Sequence, residues 1–481
     1  MDVSWLLSFS TLWLAFEWLL RLLALFVVPR NRHPTASLTW LMVIFLVPLL
    51  GWPLYILIGS TKLPRRRRLA KAQLLLLLRH IERDNTAPEV VPEKYRHLAK
   101  LTEALTGMGV RTAEDWQLLT RYAESLRAMA ADVAQARCYV HMEFYTFVAD
   151  GETEELIRAL EQAARRGVTV RVLYDAFGSY RYGRAFLRTR KRLHQAGAHM
   201  QAALTLRLPG RGYTRVDLRN HRKLVVIDGE VVYAGSQNII ARNYHRWDSI
   251  VYSELMIRMT GSIVSQFEAI FLEDWYAETR QLVGDAAHPH PSEDDGVGGA
   301  KVQLLPSGPE FEYDNNIKLF CAAIYAASQS VTIINPYFVP DESLMQAIIS
   351  ASNRGVRVRI INSAVMDQWM AAHAQRSYYE ELLRAGVDIY LHKAPVLVHT
   401  KAMVIDDDMA MIGSSNMDMR SFQLNHETTV LAYNTQIAAG LLALADRYIA
   451  EANQLALPQW LRRRPSKQLL DNIARLTSSL Q

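Results

Sequence analysis

Cysteine is nearly absent, with only Cys138 and Cys321 in 481 residues. They lie far apart and in no metal-binding spacing, which excludes a disulfide framework and a zinc module and points to a reducing compartment. Two small buried residues are the plain reading of the pair. Charge of one sign is also scarce: 54 Lys and Arg face 48 Asp and Glu, a net of +6. So small an excess suits an anionic partner without separating lipid from nucleic acid. Its placement says more, since Arg65, Arg66, Arg67 and Arg68 form one run and Arg462, Arg463 and Arg464 another, each beside an apolar segment. Apolar material is plentiful, at half of all residues. In a chain too long for one ordinary domain, that suffices for two cores.

Two apolar runs open the chain. Trp5 to Val28 carries only Glu17 and Arg21 as charges, and Leu38 to Ile58 carries none. At about 1.5 Å per residue either run, as one helix, covers a hydrocarbon core of roughly 30 Å. A signal peptide is disfavoured, because the start lacks a basic region and a cleavage site and a second apolar run follows at once. The expectation is a transmembrane hairpin over 1–60, with Glu17 and Arg21 pairing one turn apart. Lys62, the four arginines and Lys71 follow the second run, against Arg30 and Arg32 between the runs. The positive-inside rule then puts the body in the cytoplasm, with the amino terminus on the same side. Residues 61–110 read as a basic juxtamembrane linker, in which Leu74 to Leu78 is either an interfacial helix or a solvated stretch. Residues 458–481 read as a basic amphipathic tail whose stripe of Leu469, Leu470, Ile473, Leu476 and Leu480 lies on lipid or packs on the body.

The rest repeats itself. A strand-like stretch from Tyr139 to Phe147, a helical stretch with Leu156, Ile157 and Leu160, the turn Arg166-Gly167-Val168 and the strand Thr169 to Tyr174 make one copy. Val331 to Val339, Leu344 to Ile349, Arg354-Gly355-Val356 and Arg357 to Ile361 make the other. Strand, helix, glycine turn, strand is the βαβ pattern. The fold class is therefore α/β: two tandem domains, 111–283 and 301–457, each a mixed sheet flanked by helices and related by a pseudo-two-fold repeat. The Gly, Pro and acid-rich stretch 284–300 joins them.

Each copy carries the same set of polar residues at the same spacing. His221, Lys223, Asp228, Gly235, Ser236 and Asn238 match His399, Lys401, Asp406, Gly413, Ser414 and Asn416, with offsets from His of 2, 7, 14, 15 and 17 in both. One His-x-Lys-x4-Asp word arises by chance; two complete copies at equivalent places in a repeat do not. Apolar runs from Leu224 to Ile227 and Ala402 to Ile405 read as buried strands. Residues two apart on a strand share a face, so each His and Lys can meet one phosphate. Lys brings a full charge and Asn a neutral donor for the oxygens of a phosphodiester. Imidazole attacks phosphorus or moves a proton near neutral pH, and two of them divide the tasks.

This pattern resembles the phospholipase D superfamily, and its surroundings resemble bacterial cardiolipin synthases over nearly the whole chain. The carriers are His33-Pro34-Thr35-Ala36 with Trp40, Pro48, Gly51, Tyr55 and Gly59; Arg219-Asn220-His221-Arg222-Lys223; Asn335-Pro336-Tyr337-Phe338-Val339-Pro340; and His399 to Glu427. One departure is His426, where Phe or a similar residue is expected before Glu427. The resemblance implies a transfer that uses no metal or cofactor: phosphatidylglycerol donates its phosphatidyl group to a histidine, and the hydroxyl of a second phosphatidylglycerol resolves it to cardiolipin. It implies His221 as nucleophile and His399 as acid and then base. Lys223, Lys401, Asn238 and Asn416 bind phosphate, and Asp248 and Glu427 each orient the histidine of their own half. Asp228 and Asp406 complete the motif in a more structural part, with Ser236 and Ser414 as supporting groups. The implied partners are anionic phospholipids and the membrane, with no nucleic acid, and the implied location is a bacterial inner membrane with two spans. A hydrolytic phospholipase D and an inactive membrane scaffold are the alternatives. Pro209 to Gly212, with Arg207, Arg211 and Arg215, suggests a basic lip over the site.

Overall fold

A computed structural model describes residues 3–30, 34–59, 90–205, 215, 217–244, 250–283, 298–311, 314–476 and 478. The four-arginine run, Leu74 to Leu78, Asp248, most of the 284–300 joint and Pro209 to Gly212 lie outside the described residues.

The repeat is visible in the sheets. The first has seven strands in the order Trp116–Leu119, Met256–Thr260, Val231–Gly235, Lys223–Ile227, Tyr139–Phe144, Thr169–Asp175 and His199–Ala203. The second runs Ala300–Ser307, Glu427–Tyr433, Met409–Gly413, Ala402–Ile405, Ser330–Ile334, Arg357–Ser363 and Asp388–His392 in the same order, with Arg111–Ala113 and Ala452–Gln454 added at its edges. In both, the motif strand is antiparallel to the first βαβ strand, Lys223 opposite Phe144 and Ala402 opposite Ile334. The central strands Lys223–Ile227 and Ala402–Ile405 are buried throughout, which is why they read as unbroken apolar runs rather than alternating ones. Gly167 and Gly355, at φ 93° and 87°, follow equivalent helices in the left-handed conformation that a side chain would resist.

The halves share a core. Leu224, Val226 and Ile257 of the first sheet cluster with Val302, Val404, Ile412 and Val430 of the second, and Phe267 and Leu441 from the helices Ile263–Thr279 and Thr435–Ala450 join them. The sequence-based boundary at 110 does not hold here. Arg111–Ala113 pairs antiparallel with Ala300–Val302 of the second sheet, and Tyr95, Leu98 and Ala99 are buried in the second core. Apolar residues at helical spacing over Arg96–Thr106 supply the face that makes this more than a linker.

At the amino terminus, α1 covers Val3–Val27, and its Ser10–Val27 stretch is long and apolar enough to cross a membrane. The second apolar run is not one helix. It forms α2, Pro34–Leu46, and α3, Pro48–Ile58, separated by Val47 at φ −139° and ψ 79°. Pro48 has no N–H to continue the helix, and its ring restricts the residue before it, so the break falls where the chemistry demands it. The tail forms a helix, Pro465–Arg475, that packs against Trp369–Arg384, where Asp471 meets His373 Nδ1 at 2.6 Å and its other oxygen pairs with Arg463 of the tail itself. Its Leu469, Ile473 and Leu476 remain exposed.

Candidate active site

His221 and His399 sit just ahead of the motif strands, each held by the opposite half. The His221 N–H donates to the carbonyl of His426 at 2.9 Å, and the His399 N–H to that of Ser253 at 2.8 Å. Each acceptor directly precedes a buried glutamate, and each glutamate takes the ring of that same histidine. Glu427 accepts from His221 Nδ1 at 2.9 and 3.0 Å, and Glu254 from His399 Nδ1 at 2.8 Å. The carboxylates are thus exchanged between halves, contrary to the same-half pairing read from the motifs. Glu427 serves His221 rather than His399. Glu254, not the expected Asp248, lies on His399. A parallel ladder of Val251–Ser253 with Val396–Val398 holds this crossing on one side, and a bridge between Asn220 and His426 holds it on the other.

A serine completes a matched pair of bonds on each carboxylate: Ser236 Oγ donates to Glu254 at 2.6 Å and Ser414 Oγ to Glu427 at 2.5 Å. With Nδ1 engaged, Nε2 of each ring is the nitrogen left for phosphorus chemistry. Lys223 and Lys401 are buried and donate to the carbonyls of His221 and His399, both at 2.7 Å. Asn238 Oδ1 accepts from the Thr146 N–H at 3.1 Å, which fixes the amide with its NH2 group, the donor end, turned away from Thr146. Asn416 is buried at the equivalent place. Aromatic rings complete the walls: Tyr145 stands edge-on to His221 at 5.4 Å, and Tyr252 and Tyr337 to His399 at 5.4 and 6.0 Å. Asp367 accepts from both Tyr252 and Tyr337, at 2.9 and 2.6 Å. The spacing of the motifs carries no signal for these tyrosines or for Asp367.

Burial dominates the electrostatics. It lowers the Lys223 ammonium to about 8 and that of Lys401 to about 7, against the attraction of Glu427 and Glu254. Burial also lowers His221, opposed by Glu427, and takes His399 well below the ordinary imidazole range, helped by Lys401 and Lys223. Glu254 is pushed up to about 7 by burial, against Lys401 and the Ser236 hydroxyl. A buried ammonium costs several kcal/mol unless an anion meets it. Two such ammoniums beside two imidazoles suit a negatively charged group.

Asp228 and Asp406 are elsewhere. Each ends its motif strand in the left-handed region, φ 51° and 49°, five residues past the lysine and so about 17 Å along a strand. Asp228 accepts the N–H groups of Arg137, Cys138 and Tyr139, and Asp406 those of Ser328, Gln329 and Ser330. They tie down the start of the neighbouring strand. His141 is likewise structural, stacked between Tyr139 and Phe271. His426 has a second task, its ring bonded to Glu310 at 3.0 Å. Arg215 of the suggested lip is buried and paired with Asp217.

Two sheets with paired His, Lys and Asn residues, each histidine completed by the other half, define a tandem phospholipase D-like protein with one composite site. The family model "Cardiolipin synthase, PLD-like domain" matches residues 129–275 and 320–449, and "Phospholipase_D-nuclease N-terminal" matches 19–60. Cardiolipin synthase A of Proteus mirabilis is 33% identical over 99% of this chain and 98% of its own length. Cardiolipin synthase of Geobacillus kaustophilus is 33% identical over 95% and 91%. The crystal structure of phosphatidylserine synthase from Haemophilus influenzae, 15% identical, shares the fold at a TM-score of 0.57 over 79% of this chain and 99% of that one. The chain belongs to the cardiolipin synthase family of the phospholipase D superfamily.

Proposed function

We propose that the chain transfers a phosphatidyl group from one phosphatidylglycerol to a second, giving cardiolipin and glycerol. The observation that supports this most is the pair of buried ammonium groups, Lys223 and Lys401, beside two imidazoles whose Nδ1 atoms are already bound. In this reading His221 Nε2 attacks phosphorus and the bond to the glycerol oxygen breaks, leaving a phosphatidyl-histidine. His399 gives that oxygen its proton, and Glu254, pushed up to about 7, keeps a proton within the His399 pair near neutrality. His399 then takes the proton of the second phosphatidylglycerol's hydroxyl as its oxygen attacks phosphorus and the P–N bond breaks. Lys223, Lys401, Asn238 and Asn416 hold the phosphoryl oxygens, where loss of one such donor costs about 2.7–4 kcal/mol of barrier.

The catalytic units are 114–283 and 301–457, with Glu93–Ala113 joined to the second. The substrates are anionic phospholipids, not nucleic acid. The body lies on the cytoplasmic face of a bacterial inner membrane, the side that the basic residues Lys62, Arg65 to Arg68 and Lys71 favour by their place in the sequence.

Purified protein on phosphatidylglycerol vesicles with a chelator tests the reaction. Cardiolipin and glycerol in equal amounts support it. Phosphatidic acid as the main product makes the chain a hydrolase, and no turnover makes it a scaffold.

A further inference from the structure

The break at Val47 turns α3 back alongside α2. Along one continuous helix Trp40 and Tyr55 would stand about 22 Å apart; their ring centroids are 5.5 Å apart, edge to face. A Cβ on Gly51 would lie 2.7 Å from Ile44 Cα, so glycine is what lets the arms close at the turn. At 13 and 11 residues, the arms reach about 20 and 17 Å, short of a core of roughly 30 Å.

A helix broken inside a bilayer leaves backbone carbonyls without partners, at several kcal/mol each, unless protein supplies them. α1 supplies one such partner here. Arg21 Nε donates to the carbonyl of Phe45 at 3.0 Å, beside the break, while its guanidinium pairs with Glu17 at 3.0 Å. In return Trp52 Nε1 of α3 donates to the carbonyl of Leu20 at 3.0 Å. Arg21, paired with Glu17 as expected, thus also holds the turn. The inner faces pack Ala24, Ile44, Trp52 and Tyr55, whereas Leu38, Met42, Leu46, Leu49, Leu50 and Ile56 face outward. That outer surface has the chemistry of acyl chains.

We propose that the chain crosses the membrane once, through α1, and that α2 and α3 form a re-entrant hairpin seated in a single leaflet, which puts the amino terminus and the catalytic body on opposite faces. Charge supports this independently: Arg30, Arg32, Lys62, Arg65 to Arg68 and Lys71 all follow α1. One crossing gathers every one of them on the body's side, whereas two crossings would strand Arg30 and Arg32 on the other.

The test is labelling of the full chain with a membrane-impermeant maleimide in right-side-out spheroplasts, in a Cys138→Ser, Cys321→Ser background. Single variants Asp2→Cys and Arg30→Cys are compared before and after lysis, with cardiolipin production confirming that each is folded. The proposal expects Asp2→Cys to label in intact spheroplasts as fully as after lysis, and Arg30→Cys to rise from background only on lysis. The reverse pattern means two spans and overturns it. Labelling of both only after lysis, or of both before it, overturns it equally.

Discussion

Replacing Glu427 with Gln should disable a histidine that lies 206 residues away in the other half. Glu427 accepts from His221 Nδ1 at 2.9 and 3.0 Å and is itself fully buried, so no water substitutes for it. A hydrogen bond to a charged group contributes about 1.5–3 kcal/mol, which is about 10- to 150-fold in rate. The loss should exceed this, because the Gln amide can donate to Nδ1 and so place the ring proton on Nε2, the atom that must attack. In a serine protease triad, the corresponding amide substitution costs about 10⁴ in kcat. The expected result is a kcat lower by about 10² to 10⁴ with KM for phosphatidylglycerol within about threefold of the parent. The crossed pairing is read separately by ring ¹⁵N shifts in histidine-labelled protein. Glu427→Gln should change the tautomer signature of His221 and leave His399 as it was, and Glu254→Gln should do the opposite. A kcat loss under tenfold, or a tautomer change confined to His399 in Glu427→Gln, would refute the exchange.

Two further expectations follow from the same geometry. The attacking imidazole must be neutral and burial lowers His221, so the acid limb of kcat/KM should fall below pH 6.5. The lysines must be charged, and their ammonium form is lost as pH rises through about 7 for Lys401 and about 8 for Lys223, so kcat/KM should decline across pH 7–8. A bound phosphodiester favours the charged form and should move that limb alkaline in kcat; a kcat/KM flat to about pH 9.5 contradicts the buried-ammonium account. Asp406→Asn should act on stability and spare kcat. Burial raises this carboxyl, but the N–H groups of Gln329, Ser330 and Ser328 and the Ser328 hydroxyl outweigh it and hold it below its ordinary range. Its contribution is therefore present above the unfolded value of about 4 and is lost as pH falls through the lower folded value. Denaturant melts at pH 7 should show a loss of about 1–3 kcal/mol. A tenfold drop in kcat with an unchanged melt would return Asp406 to the catalytic machinery.

Much of the site is legible from sequence because its parts are local. His, Lys and Asn recur at fixed offsets along one hairpin, and the strand period alone puts His221 with Lys223 and His399 with Lys401. The exchange of glutamates is not local, since it depends on how two sheets pack and on backbone bonds from His221 to His426 and from His399 to Ser253. Glu254 was missed because it lies 33 residues after His221, against 28 from His399 to Glu427, a longer loop having displaced it. The sign that would have found it is local after all: a glutamate at the mouth of the strand next to Gly-Ser, before Leu255-Met256-Ile257 in one half and Thr428-Thr429-Val430 in the other. The folded-back second apolar run had its sign too, in Pro48 and Gly51. Hydropathy and length outweighed them, since an apolar count does not register a missing N–H. Residues 93–110 read as linker, and 111–113 as part of the first domain, because the strand Arg111–Ala113 is three residues long and has its partner nearly 190 residues away.

The central claim is that both halves act on one phosphate. A crystal structure with vanadate or tungstate tests it most directly. One oxyanion should be bound, with Nε2 of His221 and Nε2 of His399 on either side and Lys223, Lys401, Asn238 and Asn416 on its oxygens. Two oxyanions, each held by the histidine and lysine of a single half, would contradict it.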